Sequence, residues 1–165
     1  MQKAVYLVLL VFTSMCWAQD SSFLALVKVD YSSTSGKEDT QFSLDKERHI
    51  FFIESDNKEE LLFYNAFLKE NEESHSAGTI KNVKRIKNTK EQQVYSFEWN
   101  VENSYDAIKS KAFVTLEINE SETTNKESKA KITITNEKDL QLVYKGIISY
   151  YVNPLLFYYR LEKII

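Results

Sequence analysis

A single cysteine, Cys16, occurs in the 165-residue chain, so it can form neither an internal disulfide nor a multi-thiolate metal site. Proline occurs once (Pro154) and glycine three times (Gly36, Gly78, Gly146), which excludes collagen-like, proline-rich and glycine-rich linker segments. Three isolated glycines also cannot build a phosphate-cradling loop. Histidine is limited to His49 and His75, and no serine sits in a Gly-x-Ser-x-Gly elbow, so a nucleophile-and-base constellation has little to draw on. An excess of basic residues is missing too. With 21 basic and 24 acidic side chains the net charge is −3, which argues against nucleic acid or anionic lipid as a primary partner, since both draw on clustered Lys and Arg.

What the chain does have begins at its start. Lys3 precedes an apolar run over residues 4–12, and Cys16–Trp17–Ala18 places small residues at −3 and −1 of a cut before Gln19. The run falls short of the roughly 20 apolar residues that span a bilayer. Residues 1–18 therefore read as a cleavable signal peptide and residues 19–165 as one globular domain, exported to the periplasm, the cell envelope or the outside of the cell. Lys3 is the only charge removed, so the cleaved chain is one unit more acidic. Ten Tyr and ten Phe supply large buriable area, which favours a folded domain over a disordered one.

Period-two alternation marks strands at residues 23–31, 93–101, 112–118 and 130–135, with a short apolar strand at 49–54 and a weaker one at 79–86. Residues 32–41 read as polar loop. Asp56 with Glu59 suits a capping box, and Leu61, Leu62, Ala66, Leu68, Phe63 and Phe67 make a broad stripe, predicting a helix from Asp56 to about Glu70. Residues 140–152 read as a strand, followed by Asn153 and Pro154 as N-cap and first residue of a terminal helix. The expected fold is α+β: an antiparallel sheet with one main helix on one face and a possible C-terminal helix. A β-barrel with one helix is the alternative.

Residues able to carry chemistry are few. Glu72, Glu73 and His75 form an incomplete metal-ligand cluster on a polar segment, where a closed site needs about four fixed ligands. Neither a metal nor a cofactor is expected. The pairs Glu59/Glu60, Glu72/Glu73 and Glu137/Asp139 read as solvated, while Glu98 and Glu117 stand in mid-strand. The basic run Lys81, Lys84, Arg85, Lys87 and Lys90 reads as a solubilising strand edge. The feature above background is aromatic: Tyr95, Phe97, Trp99, Tyr144 and Tyr150, with Tyr151, Phe157, Tyr158 and Tyr159, read either as core or as a ligand- or partner-binding surface.

The order Asn57–Lys58–Glu59–Glu60–Leu61 opening a helix, then strands at 94–99, 112–118 and 131–136, resembles a bacterial exported domain family of unknown function, over residues 55–136. That resemblance implies a TATA-binding-protein-like α+β fold and export, with no activity attached. The expectation for function is an exported, non-catalytic module binding a protein or a small apolar ligand in the cell envelope. The alternatives are a carrier with an internal apolar pocket, or an envelope enzyme using Glu98 and Glu117. Neither nucleic acid nor an integral membrane span is expected.

Overall fold

The computed structural model describes residues 22–55, 59–69, 75–103, 109–120 and 127–164. The segments read as strands are strands, residues 61–67 add another, and each pairs antiparallel with the next: β1 (Ser22–Thr34), β3 (Arg48–Glu54), β4 (Leu61–Phe67), β5 (His75–Asn88), β6 (Gln92–Asn103), β7 (Lys109–Asn119), β8 (Glu127–Asn136) and β9 (Gln141–Tyr150). A two-residue strand, β2 (Lys37–Glu38), folds back on the end of β1. The meander does not stay open. Strand β9 returns to β1 in a ladder from Ala25 opposite Tyr150 to Thr34 opposite Leu142, closing eight strands into a barrel. The barrel is thus the architecture, with two helices added: α1 (Thr40–Asp45) and α2 (Pro154–Lys163).

Two glycines sit where a neighbouring strand's backbone comes close, Gly146 at the closing seam and Gly78 on β5. Gly146 on β9 lies opposite Val29 on β1 and Ala130 on β8. A Cβ there would stand 2.0 Å from the Lys28 carbonyl oxygen. At Gly78 on β5 it would stand 1.7 Å from the Asn100 carbonyl oxygen. At both places a neighbouring strand's backbone occupies the space a side chain would need, as expected where a sheet bends sharply. Beside Gly146, β1 also carries a bulge between Val29 and Tyr31.

The helix expected over residues 56–70 is corrected. Residues 61–67 form β4, paired with β3 from Arg48 opposite Phe67 to Glu54 opposite Leu61. Asp56, the expected cap, lies outside the described residues, as do Asn57 and Lys58. The reason is that LLFYNAF is apolar at nearly every position, so helical and strand periods fit equally well. Two neighbouring strands then supply the ladder that a lone helix would lack. Leu61 and Phe63 face the core, and Leu62 and Tyr64 are half-buried on the other side. The element that opens the family resemblance at Leu61 is accordingly a strand here, while residues 94–99, 112–118 and 131–136 fall in β6, β7 and β8.

Inward side chains fill the barrel. Phe63 packs edge-on against Phe52 (5.2 Å between centroids), Phe97 (5.7 Å) and Trp99 (4.9 Å). Val27, Ile50, Val114, Leu116, Ile132 and Ile148 complete the same buried cluster. An eight-stranded barrel is just wide enough to be filled by its own side chains, and this sequence supplies large ones. Such ring pairs add about 0.5–1.5 kcal/mol each beyond their burial.

Both ends of the barrel are covered. At the end where β1 begins and β9 finishes, α2 inserts Phe157 and Leu161, both fully buried, one turn apart. Phe157 meets Phe52 (5.3 Å) and Tyr150 (5.5 Å), so the helix closes on the interior itself. Arg160 Nε stands 3.0 Å from Oε1 of the buried Glu54 at the end of β3. The helix starts as its sequence predicts: Asn153 is extended, its Oδ1 accepts from the Leu155 N–H (2.9 Å), and Pro154 follows. Replacing Asn153 by Ala should cost about 1 kcal/mol through the lost cap. Chemical denaturation would read this, with a second variant, Asn153→Asp, expected to lose far less.

At the opposite end, α1 occupies part of what reads as polar loop in the sequence. Asp39 accepts hydrogen bonds from Ser32 Oγ and from Thr34 Oγ1 (2.7 Å), and Ser32 Oγ lies 2.7 Å from Ser43 Oγ, tying the helix to β1.

Candidate binding face at the helix end

The five aromatic residues singled out from sequence all point into the barrel and are buried there. They divide into three groups. Phe97 and Trp99 belong to the central aromatic cluster. The Trp99 indole Nε1 has no hydrogen-bond partner among the described residues. Tyr144 stands at the α1 end. Tyr95 and Tyr150 lie at the α2 end, where Tyr158, from the helix, joins them.

Around Tyr158 the structure builds a hydroxyl and carboxylate network. The Tyr158 ring stacks on Tyr95 (6.0 Å, 14°), its hydroxyl lies 2.8 Å from that of Tyr150, and it donates to Glu120 Oε1. Ser128 Oγ donates to the other oxygen of Glu120 (3.0 Å). The Tyr95 hydroxyl donates to Glu162 Oε1 (2.9 Å), which also receives Arg85 Nη1 (2.8 Å). Four strands and the helix are joined through two carboxylates. Burial raises the pKa of Tyr95, Tyr150 and Tyr158. Glu162 adds to the effect at Tyr95, Glu120 at Tyr150, and Tyr150 with Glu120 at Tyr158.

That shift has a sign. A tyrosine that keeps its proton to higher pH in the folded state contributes stability that is complete below about pH 10, where free tyrosine ionises. It is lost as the pH rises through the raised values. Resistance to urea should therefore fall steeply above about pH 10, and Tyr158→Phe should flatten this alkaline limb. Tyrosinate absorbance followed beside the unfolding curve tests it; an unchanged limb in the variant would count against the network.

Outside this network the helix and the β5–β6 hairpin border a groove of about 820 Å³. Its walls include Arg85, Lys90 and Glu91 on one side and Leu155, Tyr158 and Tyr159 on the other, with Tyr95 between. Leu155 and Tyr159, one turn apart on α2, are 75% and 57% exposed, on the helix face away from Phe157 and Leu161. Ligand sites commonly take this size, and the lining here is mostly polar or charged, with Arg85 and Lys90 facing Glu91, Glu120 and Glu162.

At the far end, Arg48 is the residue sequence reading passed over. Its Nη1 donates to Asn65 Oδ1 (2.9 Å) and Tyr144 Oη (3.0 Å), and its Nε to Ser43 Oγ (3.1 Å). The guanidinium lies 4.0 Å from the Phe67 ring centroid and 4.9 Å from that of Tyr144. Burial lowers its pKa, while Tyr144 and Asp39 oppose the shift. Burial would raise the pKa of Asp39, but the bonds from Ser32 and Thr34 and the charge of Arg48 outweigh this, so its carboxyl titrates below the ordinary range. Partners on α1, β4 and β9 make Arg48 a clasp for this end. Its partners Asn65 and Tyr144 are 17 and 96 residues away, beyond any local motif.

The mid-strand carboxylates are ion-paired on the outside of the barrel: Glu98 with Lys111 (2.8 Å) and Glu117 with Lys131 (2.7 Å). Glu72 and Glu73 lie outside the described residues, and His75 opens β5, stacked on Tyr64 (6.3 Å). Among the described residues no helix is long and apolar enough to cross a membrane. Compared with family models, curated proteins and solved structures, the chain matches none.

Proposed function

We propose that the chain is an exported, non-catalytic binding module of the cell envelope, and that its partner meets the outer surface at the α2 end. One observation carries this reading: the interior is filled and each end is covered, so binding surface is offered on the outside. There the α2 groove gathers exposed rings, an exposed leucine and charges of both signs. The same filled interior favours a module over a carrier, which needs internal space for its cargo. Support for export comes from residues 1–18.

The test is a photo-activated cross-linking side chain placed at Tyr159, compared with one at Phe42, which is exposed at the far end. In the native host, cross-links should concentrate at Tyr159 and fractionate with the envelope. Equal labelling at both positions, or a cytosolic product, would contradict the proposal.

A further inference from the structure

Residues 50–53 of β3 and 61–64 of β4 are apolar or aromatic without a break, yet the barrel interior takes only every second one. Strands that read as continuous apolar runs are commonly buried on both faces. On the outer wall the leftover side chains fall into register. Leu26 on β1 stands opposite Phe51 on β3, Phe51 opposite Tyr64 on β4, and Tyr64 opposite Ala77 on β5. The adjacent row repeats this with Phe23, Ile53, Leu62 and Thr79. No position in these rows is charged. A third row, from His49 to His75, meets the first charge at Lys28 on β1.

The rings pack side by side: Phe23 lies 5.9 Å from Phe51 and 6.1 Å from the exposed Tyr151. The opposite wall differs, for there Glu98, Lys111, Glu117 and Lys131 pair across the strands. Three rows on four strands cover roughly 400 Å², the extent of apolar surface that marks an interaction site. Shape and charge say what fits it. Side chains are large on β1 and β3 and small on β5, where Ala77 and Thr79 line a groove of about 850 Å³. The groove's far wall, with Asn100, Glu102, Lys109 and Lys111, supplies a polar rim. A two-fold axis along the strands would set β1 of each copy over β5 of its mate, so that large meets small twice. Two-fold contacts also bring residues near the axis against their own mates. A chain of net charge −3 tolerates this best where it carries no charge. Homodimer contacts are the more apolar class, whereas passing partners use surfaces as polar as the rest.

We propose that the outer wall of β1, β3 and β4, with the start of β5, is the contact between two copies of this chain. The patch is at the small end of specific interfaces, so the dimer forms reversibly with concentration. This goes beyond the binding-module reading. The wall shares no residue with the α2 groove, which each copy keeps open to its own partner.

Sedimentation equilibrium of the purified chain from Gln19, the form export would leave, tests it from micromolar to near-millimolar concentration. The mean mass should rise toward twice that of one chain. Phe51→Glu and Tyr64→Lys, each alone, set like charges beside the axis and should weaken association about a hundredfold or more. Mixed in equal amounts they should associate again, since a carboxylate on one copy then faces an ammonium on the other. Phe113→Glu, at an exposed ring on the charged wall, should leave association unchanged. A milder pair of variants covers the case in which a charge unfolds the wall. The chain from Gln19 has no cysteine, so Tyr64→Cys should be joined into dimers by a short bismaleimide and Phe113→Cys should not. A parent that stays monomeric throughout overturns the inference, even if the wall captures a lipid or another protein. So does a dimer that survives both charge variants, or equal cross-linking at the two introduced thiols, because the contact would then lie elsewhere.

Discussion

Gly146→Ala is expected to destabilise the protein by about 3 kcal/mol or more, the upper range for overpacking, because the atom in the way is backbone. The Lys28 carbonyl oxygen would lie 2.0 Å from the new Cβ, and a rotamer change cannot relieve it. Strand β1 would have to move away from β9, and that ladder is what closes the barrel. Gly36→Ala is the matched control. Nothing lies within 4 Å of its would-be Cβ, and only its positive φ of 80° is unfavourable. That costs about 1–2 kcal/mol. Urea unfolding of the two variants should place Gly146→Ala clearly lower. The reverse order would mean that the β1–β9 seam yields more readily than its geometry implies.

The second large effect belongs to the C-terminal helix. Phe157→Ala should cost about 3–5 kcal/mol, the usual range for a buried phenylalanine. Phe157 touches rings from β3 and β9, so its loss leaves a cavity between the helix and the barrel interior. Leu155→Ala, on the exposed face of the same helix, should change stability by less than about 0.5 kcal/mol. Hydrogen exchange should localise the difference, with the Phe157 variant losing protection at the start of β1 and the end of β9. Comparable costs for the two substitutions would mean that α2 is a tail resting on the barrel.

Strands were legible wherever one face was apolar and the other polar, as in β6, β7 and β8. In β4 both faces are apolar, and local periodicity cannot choose between helix and strand; pairing with β3 and β5 decides it. Helix α1 gave no signal because it is six residues long and has no side-chain cap. The helix α2 gave a clear one in Asn153–Pro154. Alternation also put Tyr95, Phe97 and Trp99 on one face, but could not say that this face is inside, since closure rests on pairing Ala25 with Tyr150 across the whole domain. Tyr158, Glu120 and Glu162 were missed as a unit for the same reason. They meet only once α2 has folded over the barrel end.

The account stands on a packed interior with binding on the outside, and Trp99 reports on it directly. It is buried against Phe63, and once residues 1–18 are removed it is the sole tryptophan. Its emission should be blue-shifted, poorly quenched by iodide, and unchanged when a fluorescent fatty acid is titrated in. Saturable energy transfer from Trp99 to one fatty acid per chain would show an interior that opens to cargo, and would contradict the account.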